Sequence, residues 1–243
     1  MKKVLVTGAS RGIGYAIAKK FSQKEYQIVI TGRNIQTLER AAESLGRNVH
    51  PLVWNASEFD KAEEKINEAA NMLGGLDIVV NNAGIFAQRS EWDQNGLLNT
   101  TAKEWQDVIN VNASAVFFTM QASVKYMLRN HIRGNILNIT SVAGEEPVYG
   151  AYGGSKILAT ALTRGWGKMF AADGITINGI APGPVATEMN NWHEGDSMKH
   201  ERIPYGRFAT IDEIAELAVY LTSETAKMIC GETVIIDGAY SIR

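Results

Sequence analysis

The sequence predicts an α/β fold, in which a doubly wound parallel sheet of seven strands carries helices on both faces. Two observations point to it. Short apolar runs alternate with helical patterns from the first residues onward, and a glycine-rich turn directly follows the first run. Because a helix separates each strand from the next, right-handed crossovers connect parallel neighbours, and both faces of the sheet become covered.

The strands are predicted at seven apolar runs, which in chain order are KVLVTG, QIVITG, VHPLVW, LDIVVNNAG, GNILNITS, ITINGIAPG and ETVIIDG. The segments between them have helical periodicity. After the second run, for example, Leu38, Ala41, Ala42 and Leu45 fall on one stripe of a helix. The sequence contains no repeat of fixed period and no low-complexity run, so we expect one domain spanning residues 1–243.

The bulk composition restricts the classes of function. The chain has 243 residues, 45% of them hydrophobic, which is enough for a sizeable core. Its net charge of −2 gives no basic surplus for nucleic acid or a membrane surface. Cys230 is the only cysteine, and no apolar stretch has the length of a membrane span or a signal peptide core. We expect a soluble cytoplasmic protein with no nucleic acid or membrane partner.

The first predicted strand leads into TGASRGIG and then into a helical pattern. Glycine lets the backbone approach a pyrophosphate closely, and the start of a helix offers unpaired N–H groups and a positive dipole end. A plain tight turn would also use glycines at this spacing. The residues predicted to bind a dinucleotide here are Gly8, Ser10, Arg11, Gly12, Ile13 and Gly14.

The end of the second strand indicates which dinucleotide would bind. A site for NAD usually places an acidic residue there, but this strand ends in VITGRN, with Arg33 at that position and Glu39 as the next carboxylate. Arg11 lies in the glycine loop, so two guanidinium groups could converge on a 2′-phosphate. The pattern predicts NADP(H), although both arginines could instead be solvated surface charges.

The stretch YGAYGGSK contains two tyrosines and one lysine. Lys156 follows Tyr152 by four residues, whereas Tyr149 has Gly153 at that spacing. If the stretch begins a helix, the Tyr152 hydroxyl and the Lys156 ammonium share one face. An ammonium favours the phenolate, which a phenol with a pKa near ~10 needs if it is to exchange protons at neutral pH. The spacing therefore selects Tyr152 as the acid–base candidate.

Six motifs in order give the chain a resemblance to a known family. They are TGASRGIG, NNAG at 81–84, Asn112 in NVNASAVF, Ser141 in NITSVAG, Tyr152 with Lys156, and APGPVAT at 181–187. Over nearly its whole length the chain resembles the short-chain dehydrogenase/reductase family. The resemblance implies a Rossmann-like sheet, a nicotinamide cofactor, and a catalytic set of Asn112, Ser141, Tyr152 and Lys156.

The resemblance also implies a role for each of these residues. Tyr152 exchanges a proton with the substrate oxygen, Ser141 binds that oxygen, and Asn112 holds a water that links Lys156 to solvent. Ser141 follows an apolar run, so its hydroxyl should emerge at the end of a strand. Asn110 competes with Asn112 for the water-holding role. Taken alone, each residue could equally be an ordinary turn or surface residue.

Further cofactor contacts follow from the same resemblance. NNAG would lie beside the adenosine, Asn55 stands where the family often has an acid near the adenine, and the PGPVAT segment would lie along the nicotinamide and phosphates. The residues predicted in this way are Asn55, Asn82, Ala83, Gly84, Tyr152, Lys156, Pro182, Gly183, Val185 and Thr187.

Two segments are predicted to shape the substrate pocket. Only eleven positions separate Ser141 from Tyr152, and this short connection contains Glu145, Glu146 and Pro147. Residues 188–204 form a long polar and aromatic segment, typical of a lid over a substrate.

Four ring-bearing side chains were weighed as site residues. Trp92 and Trp192 are candidates for an apolar wall, though packing would explain them equally well. His193 and His200 lack the spacing of metal ligands, so we predict no metal site.

Within the family, the chain most resembles the 3-oxoacyl carrier-protein reductases, including its ending GETVIIDGAY. Those proteins dock an acidic carrier through basic residues, but Asp173 stands at one such position here, with Arg129 and Arg133 as possible substitutes. The expected activity is NADPH-dependent reduction of a 3-oxoacyl thioester, carried on acyl carrier protein or coenzyme A. The alternatives are a sugar, a steroid or another small ketone or alcohol as substrate, or a non-catalytic NADP-binding regulatory protein. The resemblance also implies a homotetramer.

Overall fold

All seven predicted runs form strands of one parallel sheet. The computed structural model describes residues 1–86, 93–145 and 147–242. In this part of the chain the strand order is β3-β2-β1-β4-β5-β6-β7, and every neighbouring pair is parallel. The predicted doubly wound α/β fold is confirmed. The strands are β1 (Lys3–Val6), β2 (Gln27–Gly32), β3 (Val49–Val53), β4 (Ile78–Asn81), β5 (Asn135–Ile139), β6 (Thr176–Pro182) and β7 (Thr233–Ile236).

Helices follow the strands as the alternating pattern predicts. The predicted stripe after β2 is confirmed, since all four of its apolar side chains are buried. None of the helices in the described ranges is long and apolar enough to cross a membrane. The helices are α1 (Gly12–Ser22), α2 (Ile35–Leu45), α3 (Ala62–Leu73), α4 (Gln94–Leu98), α5 (Ala102–Ile109), α6 (Ala115–Arg129), α7 (Ala151–Phe170) and α8 (Ile211–Leu221).

The sheet separates two hydrophobic cores. On one face, Val4 and Val6 of β1 pack with buried residues of α1, α2 and α8. On the other face, Leu5 of the same strand packs with α3, α6 and α7. Successive side chains of a strand point to opposite faces, so a strand covered on both sides is apolar at most of its positions. This explains why the strands appear in the sequence as continuous apolar runs.

Several short irregular turns lie at the carboxyl ends of the strands. A π turn, Asn110–Ser114, joins α5 to α6, and 3-10 turns occupy Val142–Gly144 after β5 and Glu188–Asn190 after β6. Single π turns inside helices are rare and occur mostly at functional sites. The candidate residues lie around these turns.

Candidate active site

The glycine loop between β1 and α1 has the backbone that a phosphate-binding turn requires. Gly8 and Gly12 have φ values of +64° and +61°, a region that favours glycine. A Cβ on Gly8 would lie 2.8 Å from the Cα of Ala83, so the loop packs directly on the NNAG segment. A Cβ on Gly12 would meet no atom within 4 Å, which leaves open space at the start of α1. The loop therefore fits a dinucleotide pyrophosphate at this helix N-terminus.

Asn82 fixes the shape of this loop. Its side-chain amide donates to the carbonyl oxygens of Thr7 and Gly8, both at 2.9 Å. The Thr7 hydroxyl oxygen in turn accepts hydrogen bonds from the backbone N–H groups of Asn82 and Ala83, at 3.0 and 3.1 Å. Both hydrogens of the Asn82 amide are thus used inside the protein. Its predicted contact with the adenosine stays a prediction, and the structure gives it a second role in holding the loop.

A narrow crevice opens beside the glycine loop, between the ends of β1 to β4 and the start of α6. Its walls include Thr31, Trp54, Asn81 and Ala83. Asn55 lies between two lining residues and accepts a hydrogen bond from the Ser57 backbone at 3.2 Å, which begins a turn at the rim. The crevice lies at the switch point of the sheet, where ligands bind in folds of this type, and the predicted adenine contact of Asn55 stays a prediction.

The two arginines predicted to bind a 2′-phosphate have different surroundings. Arg33 is exposed just after β2 and forms no ion pair with any residue of the described ranges. Arg11 forms an ion pair with Glu188, the first residue of the 3-10 turn after β6. No local pattern in the sequence pairs Glu188 with Arg11, because 177 positions separate the two residues.

The structure distinguishes clearly between the two tyrosines. Helix α7 begins at Ala151, so Tyr152 lies in its first turn and is 8% exposed, whereas Tyr149 precedes the helix and is 56% exposed. Lys156 lies one turn further on, with its Nζ 5.6 Å from the centre of the Tyr152 ring. The ring of Phe86 packs edge-on against the Tyr152 ring, with the centroids 4.3 Å apart. The i, i+4 spacing thus brings the predicted pair together.

Lys156 is buried, which is rare for lysine. Its Nζ donates to the carbonyl oxygen of Ile139, at the end of β5, at 3.0 Å. Burial disfavours the charged form and lowers the pKa of the Lys156 ammonium from 10.5 to about 8. The group therefore keeps its proton at neutral pH but can release it within about one pH unit above neutrality.

Ser141 lies just beyond β5 and begins the 3-10 turn Val142–Gly144. Its hydroxyl oxygen accepts a hydrogen bond from the Ala143 backbone at 3.1 Å. A Cβ on Gly144 would lie 2.8 Å from the backbone carbon of Lys156, so the turn packs directly on α7. This packing brings the Ser141 turn and the Tyr152 helix together at the same edge of the sheet.

Asn112 lies in the π turn and is buried. Its side chain forms two hydrogen bonds with the backbone of Ile85, accepting from the N–H at 2.9 Å and donating to the carbonyl at 2.8 Å. The competing Asn110 instead accepts a hydrogen bond from the exposed Gln106 side chain at 2.6 Å. A Cβ on Gly84 would lie 3.5 Å from Asn112 Oδ1 and 3.7 Å from Lys156 Nζ. The geometry favours Asn112 over Asn110, and its water contact stays a prediction.

The PGPVAT segment leaves β6 at Pro182, which is buried. A Cβ on Gly183 would lie 2.6 Å from the Cβ of Asp237, so packing against the turn after β7 already requires glycine there. The carbonyl of Val185 accepts a hydrogen bond from Asn190 at 2.9 Å, and Thr187 is half-buried beside it. The predicted contacts with the nicotinamide stay predictions.

A buried chain of hydrogen-bonded polar side chains links β4 and β5 to α7, the helix that carries Tyr152. Sequence reasoning missed this chain. Asn81 of β4 donates to Asn138 of β5 at 2.8 Å, and Asn138 donates to Thr163 of α7 at 2.8 Å. Buried polar groups of this kind need partners, and here the partners join two strands to the helix of Tyr152. A polar residue inside an apolar run was the only signal available in the sequence.

The remaining predicted side chains contribute less. Trp92 and Glu146 lie outside the described residues. Trp192 is half-buried, and its indole N–H has no hydrogen-bond partner among the residues that the structure describes. In the same ranges, no three His, Cys, Asp or Glu side chains lie together as metal ligands would.

The chain is similar to known proteins over nearly its whole length. Residues 8–241 match the family described as Enoyl-(Acyl carrier protein) reductase. The chain is 32% identical to a 3-oxoacyl-[acyl-carrier-protein] reductase of Thermotoga maritima, over 99% of this chain and 98% of that protein. It is 33% identical to a gluconate 5-dehydrogenase of Gluconobacter oxydans, over 99% of this chain and 94% of that protein.

Solved structures resemble the fold over its full length. A short chain dehydrogenase from Bacillus anthracis superposes with a TM-score of 0.87 at 28% identity, covering 100% of this chain and 97% of that one. A variant of an actinorhodin polyketide ketoreductase, solved with NADPH, superposes with a TM-score of 0.88 at 25% identity, covering 100% of this chain and 98% of that one.

Proposed function

Because the chain belongs to the short-chain dehydrogenase/reductase family, we propose that it is an NADPH-dependent oxidoreductase that reduces a carbonyl to a secondary alcohol, with a 3-oxoacyl thioester as its substrate. The observation that carries the proposal is the pair of Tyr152 and Lys156. The Lys156 Nζ lies 5.6 Å from the Tyr152 ring, at the edge of the sheet where the glycine loop also lies. A protein that only binds a nucleotide does not need this pair.

The residues around the crevice fit a dinucleotide. The loop of Gly8, Gly12 and Gly14 and the start of α1 would hold the pyrophosphate, and Arg11 and Arg33 would bind the 2′-phosphate. When bound, the nicotinamide supplies the hydride that the carbonyl carbon accepts. Closely related geometry in a ketoreductase solved with NADPH supports the choice of cofactor.

Side chains of the protein would supply the proton that the substrate oxygen needs. In this proposal the Tyr152 hydroxyl donates its proton to the substrate oxygen, which becomes the alcohol oxygen, and Ser141 donates a hydrogen bond that holds that oxygen in place. The Lys156 ammonium favours the phenolate left behind. Its lowered pKa, about 8, lets the same group give up and regain a proton near neutral pH. The burial of Tyr152 under Phe86 keeps bulk water away from the ring.

The choice of substrate rests on relatives and on surface charge. Similarity to 3-oxoacyl carrier-protein reductases favours a 3-oxoacyl thioester. The basic surface that would dock an acidic carrier is partly neutralised, since Glu63 forms ion pairs with Lys125 at 3.1 Å and with Arg129 at 3.8 Å. The exposed Asp173 adds a further negative charge. These charges weaken the docking of an acidic carrier protein at this surface and leave both carriers, acyl carrier protein and coenzyme A, for the experiment to distinguish.

A second candidate function is oxidation or reduction of a sugar acid or another small alcohol. The similarity to a gluconate 5-dehydrogenase, at the same level of identity, favours it. A third candidate is a non-catalytic NADP-binding regulatory protein. The pairing of Tyr152 with Lys156 argues against it, because nucleotide binding alone does not require that pair.

Oxidation of NADPH, followed with a panel of substrates, tests the proposal. The panel contains acetoacetyl-coenzyme A, an acetoacetyl carrier protein, 5-ketogluconate, a simple ketone and a ketosteroid. We expect the highest kcat/KM with one of the two thioesters. A highest kcat/KM with 5-ketogluconate would support the second candidate. NADPH binding without turnover on any of the five would support the regulatory reading.

We also propose that the protein is a cytoplasmic homotetramer. Helix α7 leaves the large apolar side chains Ile157, Leu158 and Met169 exposed on its outer face. Apolar side chains exposed side by side usually mark a surface that another chain covers.

A further inference from the structure

An ion pair joins the glycine loop after β1 to the loop after β6. Arg11 ends the glycine loop before α1, and Glu188 begins the 3-10 turn after the PGPVAT segment. Their side chains contact each other although both are well exposed, with side-chain exposures of 75% and 60%. The contact is thus open to solvent and to a ligand.

Glu188 is presented from a fixed turn. Asn190 donates to the carbonyl of Val185 at 2.9 Å, and the backbone N–H groups of Asn191 and Trp192 donate to the carbonyls of Glu188 and Thr187 at 3.0 and 3.1 Å. These three bonds anchor the turn to the end of the PGPVAT segment. The backbone at Glu188 is therefore held without help from the Arg11 side chain.

The Arg11 side chain, in contrast, is held only weakly. Its backbone is extended just before α1, with φ −162° and ψ 175°, and its side chain forms no capping bond to the helix. Among the described residues, its guanidinium forms an ion pair with Glu188. A long side chain held at one exposed contact can turn to another anion at small cost.

The Glu188 carboxylate and a 2′-phosphate are alternative partners for the same guanidinium. A phosphate ester carries close to two negative charges and three acceptor oxygens, so it binds a guanidinium better than one carboxylate does. If Arg11 turns to the phosphate, the ion pair with Glu188 must break. A cofactor without the phosphate has no need to break it.

We propose that Glu188 is a specificity-determining residue, which lowers the preference for NADPH over NADH by competing with the 2′-phosphate for Arg11. The inference rests on the proposed use of NADPH by this protein. The cost of breaking an exposed ion pair is small, so the expected effect on affinity is about two- to fivefold.

Calorimetric titration of the cofactor-free protein tests the proposal without any turnover. NADPH and NADH are titrated into the wild type, Glu188→Gln, Arg11→Gln, the double variant, and Glu194→Gln as a matched control in the same exposed segment. We expect E188Q to raise NADPH affinity about two- to fivefold, to leave NADH affinity unchanged, and to have no effect on either in the R11Q background. E194Q should match the wild type.

Two results would overturn the inference while leaving the proposed function intact. If E188Q weakens NADPH and NADH alike, the ion pair is a clasp that closes over either cofactor. If the wild type binds NADPH and E188Q binds it equally well, Glu188 plays no part in selection. If the wild type binds neither cofactor, the proposed function itself fails and the inference fails with it. Thermal melting of each variant checks that the exposed substitutions leave the fold unchanged.

Discussion

The ammonium nitrogen of Lys156 lies 5.6 Å from the centre of the Tyr152 ring and is held there by the carbonyl of Ile139, 3.0 Å away. The helix supplies the first contact through its i, i+4 geometry, and strand β5 supplies the second. Because both partners are buried, the charge acts in a medium where it is poorly screened. A lysine held in this way can influence the adjacent phenol far more than an exposed lysine could.

The first prediction concerns pH. Burial lowers the pKa of Lys156 to about 8, so the ammonium that assists Tyr152 is present below that pH and is lost as the pH rises through it. We expect kcat for carbonyl reduction to be level below about pH 7.5 and to fall about tenfold per unit well above pH 8. Steady-state kinetics with saturating NADPH measures this, and NADPH affinity at each pH is the control. A kcat that stays level to about pH 10 would contradict the role of Lys156.

The second prediction compares two asparagines of the π turn. Asn112→Ala removes both hydrogen bonds to the backbone of the half-buried Ile85, at a cost of about 0.5–1.5 kcal/mol for each bond, and should also lower kcat. Asn110→Ala removes a bond to the exposed Gln106 and should change the free energy of unfolding by less than about 0.5 kcal/mol. Urea denaturation measures both. Equal stability of the two variants would show that the Asn112 amide does not hold the turn.

The third prediction concerns selection of the phosphate. Arg33→Asp replaces an attraction with a repulsion and should weaken NADPH binding roughly tenfold or more, with little change for NADH. Arg40→Asp makes the same charge change on the exposed side of α2 and serves as the control. Calorimetric titration gives both affinities. Unchanged NADPH affinity in the Arg33 variant would remove this residue from the phosphate site.

The fourth prediction concerns assembly. The wild type should sediment as a tetramer, and glutamates at Ile157 and Leu158 should dissociate it by placing charges in an apolar contact. Met228→Glu is the control, since that methionine is 97% exposed and is not part of α7. Sedimentation velocity distinguishes the species. A wild type that sediments as a monomer at all concentrations would rule out the tetramer.

The fold was largely predictable from the sequence, for a physical reason. A strand covered on both faces is apolar at most of its positions, so every strand produces a visible run, and the helices between the strands show an amphipathic stripe. The pairing of Tyr152 with Lys156 was predictable for the same kind of reason, since it depends only on helical spacing. Both the fold and this pair follow from the local geometry of strands and helices.

The contacts that sequence reasoning missed join distant parts of the chain. Nothing near Asn112 indicates that its amide binds the backbone of Ile85, and nothing near Arg11 points to Glu188. Gly183 shows the same limit. Its sequence context suggested a close approach to the cofactor, whereas packing against Asp237 already requires a glycine. Such contacts depend on how the loops at the edge of the sheet meet, and no local pattern encodes that.

The most direct test of the whole account compares Tyr152→Phe with Tyr149→Phe, each measured for NADPH affinity and for turnover of a 3-oxoacyl thioester. We expect the Tyr152 variant to lose at least about 10²- to 10³-fold in kcat while binding NADPH as the wild type does, because only the proton donor is removed. The Tyr149 variant, altered at a half-exposed position outside the helix, should keep nearly full activity. A Tyr152 variant that turns over the substrate at the wild-type rate would contradict the central claim.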